Sequence, residues 1–422
     1  MALIKKPVTG MKDVLPYEMQ IRDYVTALVK ETYSAFGFTP IETPAVEHIE
    51  NLSSKQGGEN EKLIFKILKR GEKLVLGENV SEQDLVDSGL RYDLTVPLSR
   101  FYSNNAAQLP SPFKALQIGP VWRADRPQKG RFRQFVKCDI DILGDATNLA
   151  EIELITATTT LLGKLGFSDF SVKINDRRIL RAMALYSGFS EDDLDTVFII
   201  LDKMDKIGCD GVREELVANG FDSTCTDKYI SLFESKKEGI AFIEELSEKL
   251  HDHLPEGCAE GLSGIIRSVD RVKNADFNII FDPTLVRGMS YYTGTIFEIT
   301  MNEFGSSVAG GGRYDEMIGK FTGNKVCACG FSIGFERIIT ILLDKNFEVP
   351  GKGEKHAFLI EKGADPDFIA SVMEEAGQLR AKGGHVLVSM MNKNKKFQKE
   401  QLEKDGYSSD NIKEFYHSDF KN

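Results

Sequence analysis

Apolar positions along the chain change spacing several times, and each change marks a predicted element. From about Tyr17 to Phe36, Ile21, Val25, Leu28, Val29 and Tyr33 recur at intervals of three and four, which predicts an amphipathic helix with Asp13 or Pro16 as its start signal and Gly37 as its stop. FTPIETPAVEHIE follows as an extended segment punctuated by Pro40 and Pro44. Residues 62–76, KLIFKILKRGEKLVL, predict a hairpin turning at Lys69 to Glu72. Between Phe113 and Gly144 the period falls towards two. Leu116, Ile118 and Val121 mark one arm of a hairpin, Cys138, Ile140 and Ile142 the other, with Pro127 and Gly130 as turn chemistry.

Residues 175–273 return to helical spacing, with helices expected over roughly 191–206, 211–218, 226–250 and 257–271 and glycines between them. Strand texture resumes in FNIIFDPTLVRGMSYYTGTIFEIT, and CGFSIGFERIITIL combines a strand, a turn at Gly334 and a helix. NFEVPGKGEK, residues 346–355, has the proline, glycine and charge of a linker. Beyond it HAFLIEK, PDFIASVMEEAGQLRAK, GHVLVSMM, NKKFQKEQLEKDG and IKEFYH alternate β and α, which implies a small parallel sheet.

At 422 residues two or three domains are expected, and 41% hydrophobic with 28% charged residues is an ordinary globular composition. No apolar run approaches the ~18 residues that would cross a bilayer, and the N-terminus reads as no signal peptide, so a cytoplasmic protein is the expectation. The six cysteines are scattered, and Cys327 and Cys329 read as small core residues rather than metal ligands. All six histidines fall outside the segments with candidate chemistry.

The net charge of −11 makes one local reversal conspicuous. From Trp122 to Lys137 six cations (Arg123, Arg126, Lys129, Arg131, Arg133 and Lys137) face a single acid, Asp125. Arg123 and Arg133 on a strand would clamp phosphate through planar forks, although a solvated basic hairpin tip accounts for the charge as well. Asp93 and Thr95, two apart, suit an ammonium group, or equally a helix cap before VPLSRF. Gly310, Gly311 and Gly312 allow close backbone approach, and they also suit a loop. Arg287 lies among apolar residues and needs an anionic partner. Arg337, in the first turn of its helix, opposes the macrodipole unless an anion lies nearby.

WRADRPQKGRFRQF resembles motif 2 of the class II aminoacyl-tRNA synthetases in the form carried by histidyl-tRNA synthetases. GMKDVLP with its helix and proline-bearing strand looks like motif 1, LVRGMSYYTGTIFE and GGGRYD look like the two histidine-specific peptides, and GFERIITIL resembles motif 3. The resemblance implies an α+β fold: an antiparallel sheet flanked by helices, with a helical insertion and a small α/β C-terminal domain. Its domains would be 1–174 and 274–345 (catalytic), 175–273 (insertion closing on the tRNA acceptor arm), 346–355 (linker) and 356–422 (a shortened anticodon-binding-like domain). It implies a histidine–tRNA ligase using ATP with Mg²⁺, L-histidine and tRNA(His), a homodimer through motif 1 and no membrane. Carried over residue by residue, Arg123, Asp125, Arg131, Phe135 and Arg337 bind ATP, with Phe135 on adenine. Asp93, Thr95, Lys137, Asp141, Arg287, Tyr291 and Tyr292 bind histidine, Arg287 and Arg123 are catalytic, and Arg126 and Lys129 touch tRNA. No metal is held by protein residues alone.

Three departures from the family pattern stand out. Ser290 replaces the aspartate of R-G-x-D-Y-Y, Lys137 stands where glutamine is usual, and the C-terminal domain stops about a strand and a helix early. The alternative reading is a non-catalytic paralogue that binds histidine as a regulatory subunit, of the ATP phosphoribosyltransferase type.

Overall fold

The computed structural model describes residues 3–53, 60–77, 79–127, 131–286, 291–301, 306–351 and 353–420. Contacts divide the chain into two compact units, Met1–Phe347 and Glu348–Asn422. In the first unit the strands are β1 (Thr39–Pro40), β2 (Val46–His48), β3 (Lys66–Leu68), β4 (Val86–Leu90), β5 (Phe113–Trp122), β6 (Gln134–Leu143), β7 (Phe170–Asp176), β8 (Phe277–Phe281), β9 (Thr295–Met301), β10 (Ser306–Arg313) and β11 (Ala328–Ile333). Eight of them form one mixed sheet in the order β1-β5-β6-β11-β10-β9-β7-β8. Its interior pairings are antiparallel, as the resemblance implies, and only the edge pairs β1–β5 and β7–β8 are parallel. β2, β4 and β3 make a small antiparallel sheet with β4 at its centre.

The hairpin predicted over 113–144 is present and pairs from Phe113↔Leu143 to Trp122↔Gln134. Cys138, Ile140 and Ile142 are buried, and so are Asp139 and Asp141 between them, so this strand is covered on both faces. Helices supply one cover. The first helix, Pro16–Ala35, starts with Pro16 at its first turn and ends before Gly37, whose φ is +83°. It packs against Leu149–Lys164, which also meets Cys258–Val272 and β11, and against Phe335–Asp344. Ile21, Val25, Val29 and Tyr33 are the buried stripe that the spacing predicts.

Three sequence expectations need correction. The hairpin over 62–76 does not form: its first arm pairs with β4, and Val75 and Leu76 are exposed. The helix expected over 226–250 is two helices, Ser223–Ser231 and Gly239–Lys249, with Gly239 at φ +55° where the second begins. Similarly, Leu194–Leu201 and Met204–Ala218 replace 191–206 and 211–218, and the second of these kinks at Gly208. This helical segment leaves the sheet after β7 and rejoins it at β8, the parallel neighbour of β7.

In the second unit β12 (Lys355–Ile360), β13 (His385–Met390) and β14 (Ile412–Phe415) form a parallel sheet in the order β13-β12-β14. Helices Pro366–Ala381 and Lys395–Lys404 connect them, matching the predicted alternation. Central β12 is buried on both faces, Phe358 and Ile360 against Phe368 and Val372, Ala357 and Leu359 against Met391 and Leu402.

One buried ion pair ties β10 to the helical layer. Arg313 Nε and Nη2 donate to the two oxygens of Glu151 at 2.7 Å each, while Nη1 and Nη2 donate to the carbonyls of Asp145 and Thr147. Glu151 is fully buried, so its removal strands a guanidinium that has lost its hydration. Glu151→Ala is therefore expected to lower stability by about 3–5 kcal/mol, read from urea denaturation. A loss within about 0.5 kcal/mol, as at an ordinary surface site, would show that the two carbonyls and Asp315, 3.4 Å from Nη1, suffice.

Candidate functional site

A cavity of about 440 Å³ opens over the face of β6 opposite Cys138, Ile140 and Ile142. It is lined by Arg123, Asp125, Arg131, Phe135 and Arg337, and also by Asp93, Thr95, Lys137, Asp141, Tyr291 and Tyr292. Positions scattered over more than two hundred residues of sequence thus meet in one space. Arg126 is exposed and does not line the cavity. Lys129, Arg287 and Ser290 lie outside the described residues. Arg133 departs from the expected clamp: it follows the end of the loop, not a strand, and its Nε donates to the Asp125 carbonyl at 3.1 Å, away from the cavity.

The floor follows from strand alternation. With Cys138, Ile140 and Ile142 facing the core, Phe135, Lys137, Asp139 and Asp141 face the cavity. β11 lies alongside, with Gly330 opposite Asp141 and Ser332 opposite Asp139. A Cβ on Gly330 would run into the Asp141 carboxylate, so only glycine leaves that side chain its place.

Each floor carboxylate has a different set of partners. Asp139 accepts from Lys137 Nζ at 2.8 Å and from Ser332 Oγ at 2.5 Å. Asp141 Oδ1 accepts from the Tyr314 hydroxyl at 2.5 Å, and Asp93 Oδ1 accepts the Val96 amide at 3.2 Å at the start of helix Thr95–Asn105. Asp93 thus acts as a cap and still lines the cavity, which joins the two readings its sequence allowed. The other oxygens, Asp93 Oδ2 and Asp141 Oδ2, are buried with no partner among the described residues. A buried carboxylate oxygen without a donor marks a place for a ligand N–H.

Charge in this floor is strongly coupled. Burial, reinforced by Asp139 and Asp93 and opposed by the Tyr314 hydrogen bond and Lys137, pushes Asp141 up to about 7. Burial also raises Asp93, against Lys137, the Val96 amide and Arg123. For Lys137 burial alone would lower the pKa, but Asp139 and Asp93 outweigh it and hold the ammonium charged. Lys137 is therefore engaged by a carboxylate rather than left facing a ligand amine. Asp139, Ser332 and Tyr314 are site residues that the sequence reading missed; the 137-139-141 alternation was the available signal for the first.

The opposite wall is cationic. Arg123 donates from Nε to the Tyr92 carbonyl at 2.9 Å and lies 5.5 Å from the Phe135 ring centroid. Its other N–H groups have no partner among the described residues. Arg337 donates to the Ser307 carbonyl at the start of helix Phe335–Asp344. Beside it Glu336 takes two bonds from Arg22, at 2.8 and 2.7 Å, and the Val136 amide at 3.0 Å, which locks this helix to β6. Among the described residues no group of three His, Cys, Asp or Glu side chains is placed to hold a metal ion, and none of the helices is long and apolar enough to cross a membrane. The arrangement suits a ligand with phosphates at one end and N–H donors at the other.

Residues 10–338 match the family described as histidyl-tRNA synthetase. A histidine–tRNA ligase of Leifsonia xyli subsp. xyli is 42% identical over 92% of this chain and 91% of its own length. A probable histidine–tRNA ligase of Tropheryma whipplei is 41% identical over 96% and 94%. The crystal structure of histidyl-tRNA synthetase from Nostoc sp. PCC 7120 superposes with a TM-score of 0.76 at 27% identity, covering 96% of this chain and 90% of that one. A structure from Bacillus halodurans C, described as an ATP phosphoribosyltransferase regulatory subunit/histidyl-tRNA synthetase, gives 0.76 at 22% identity over 98% of both chains and is a likeness of fold alone.

Asp141 generates a pH test. Its folded pKa of about 7 lies above that of an unfolded aspartate, so the group contributes stability below the unfolded value and loses it as pH rises through about 7. The ligand-free protein should weaken between about pH 4 and about pH 7, and Asp141→Asn should flatten that loss in urea denaturation. Equal pH slopes in variant and parent would remove Asp141 as the cause.

Proposed function

We propose that this chain, which belongs to the histidyl-tRNA synthetase family, joins histidine to the 3′ end of its tRNA at the cavity beside β6. It is a histidine–tRNA ligase. The histidine carboxylate attacks the α-phosphate of ATP, forming histidyl-adenylate and expelling pyrophosphate. A terminal ribose hydroxyl of tRNA then attacks the carbonyl carbon and AMP leaves. Neither step needs a protein nucleophile, because positioning and cations that absorb phosphate charge do the catalysis.

The observation that carries the residue roles is the sharing of one cavity by arginines and by two partnerless carboxylate oxygens. Asp93 Oδ2 with Thr95 takes the α-ammonium group. Asp141, oriented by Tyr314, takes one imidazole nitrogen and Tyr292 the other, with Tyr291 packed 4.7 Å from Tyr292 centroid to centroid. A carboxyl titrating near 7 suits a ring that itself titrates near neutrality. Lys137 offsets Asp139, so Asp93 keeps its charge for the substrate amine. Arg123, Arg131 and Arg337 hold the phosphates, Asp125 lies at the same end, and Phe135 offers its ring to adenine. Arg287 takes the α-phosphate, a role that rests on the family peptide alone.

Mg²⁺ comes with ATP, held by phosphate oxygens and water rather than by a protein cage. Arg126 and Lys129 at the hairpin tip contact tRNA(His), residues 175–273 close over its acceptor arm, and 356–422 serve as the anticodon-side domain. A cytoplasmic homodimer joined through the motif 1 region completes the reading.

Histidine-dependent pyrophosphate exchange tests it. Arg337→Ala is expected to lower exchange by about 10²- to 10³-fold, as loss of one transition-state donor does. Arg287→Ala should reduce it comparably while ATP affinity changes little. Histidine binding without any exchange by the parent protein would replace this reading with the regulatory one.

A further inference from the structure

A second cleft, of about 520 Å³, lies behind the first: Tyr291 and Tyr292 line both. Its other wall comes from the helical segment, chiefly Arg177, Arg178, Arg181 and Phe198, and apart from the two tyrosines it shares no lining residue with the first cavity. The three arginines are not equivalent. Arg178 grips Asp176 with two bonds at 2.8 and 2.7 Å, and Arg181 pairs with Glu191. The Arg177 guanidinium has no hydrogen bond or ion pair among the described residues. It rests 4.5 Å from the Phe198 ring centroid, half-buried. Burial lowers its pKa, with Asp195 acting in the opposite sense from beyond ion-pair distance.

A guanidinium partly stripped of water and stacked on a ring, with none of its side-chain donors used and only the more distant Asp195 opposing its charge, faces a void. What completes it is an anion, and the fork of a guanidinium favours phosphate or carboxylate. The remaining walls narrow the choice. Leu194, Phe198 and Met317 give apolar surface, the cleft is comparable in size to the first cavity, and the exposed rim carries Lys320 together with Asp195 and Glu316. None of these three rim residues forms an ion pair among the described residues. A bare phosphate would leave most of that volume and the rim carboxylates unused. A phosphate on a ribose uses all of it: the sugar hydroxyls suit carboxylate acceptors, as they do in dinucleotide sites, and a base suits the apolar wall.

We propose that this cleft is a second binding site, for a ribonucleotide 5′-phosphate, with Arg177 taking the phosphate and the rim carboxylates facing the ribose. The proposal goes beyond the ligase reading and does not depend on it. Two sources carry this chemistry, a free mononucleotide and the end of an RNA strand.

Calorimetric titration of AMP into the full chain, with the first cavity saturated by a non-hydrolysable sulfamoyl analogue of histidyl-adenylate, is expected to show one further AMP bound. Arg177→Gln should weaken that binding by about tenfold or more, the loss of a charge-assisted hydrogen bond. Leu194→Trp, which fills the cleft and leaves Arg177 in place, should abolish it and serves where the glutamine variant fails to fold. A second titration with the trinucleotide CCA assigns the source: tighter binding than AMP points to an RNA end, weaker binding to the free nucleotide. No AMP bound beside the analogue, adenosine binding as tightly as AMP, or an unchanged affinity in both variants overturns the proposal. The analogue's own titration reports on the first cavity, so a failure of the ligase reading registers there and not here.

Discussion

Asp93, Asp139 and Asp141 share a pocket floor that water barely reaches, and like charges so placed repel one another while losing their hydration. Everything else about the site answers that constraint. Lys137 and Ser332 saturate Asp139, Tyr314 and one helix amide satisfy half of each remaining carboxylate, and Asp141 is driven towards its neutral form. Two acceptor oxygens are left over, and they define what may enter. An amine can stand at Asp93 because Lys137 is turned to Asp139. Lys137, which stands where the family pattern has glutamine, is thus one half of an ion pair with Asp139.

The scaffold uses its buried arginines differently. Arg22 and Arg313 spend donors on Glu336 and Glu151, fixing Phe335–Asp344 to the first helix and β10 to the helix layer. Arg123 spends one donor on a backbone carbonyl, which aims it without neutralising it. A folded chain thereby holds an unneutralised guanidinium on a rigid support, where a preorganised charge counts for more than on a loose one.

Much of this was legible from residue patterns, and the failures share a cause. The hairpin and the C-terminal β-α alternation were visible because their periods are long and unbroken. The partner of β3 was not, because pairing with β4 depends on tertiary contacts and the nearby KLVL has strand propensity without a surface to bury it. The helix expected over 226–250 broke where Gly239 adopts positive φ, a choice that composition leaves open. In β6 the apolar face was read from its period, and Phe135, Lys137 and Asp141 on the other face were named through the resemblance; Asp139 between them was not, because its importance depends on Ser332, almost two hundred residues away. Tyr314 escaped similarly, since GGGRYD identifies a peptide without saying which carboxylate its tyrosine meets.

The helical segment between β7 and β8 bridges strands that run in the same direction side by side. Such strands end and begin at opposite rims of the sheet, so a tight turn cannot join them and some crossover of roughly a dozen residues or more is obligatory. Its last helix, Cys258–Val272, packs on Leu149–Lys164 and on β8, so that part of the crossover also roofs the sheet it spans. Shortening the connection to a β-turn would both bare that cover and pull the last strand out of place.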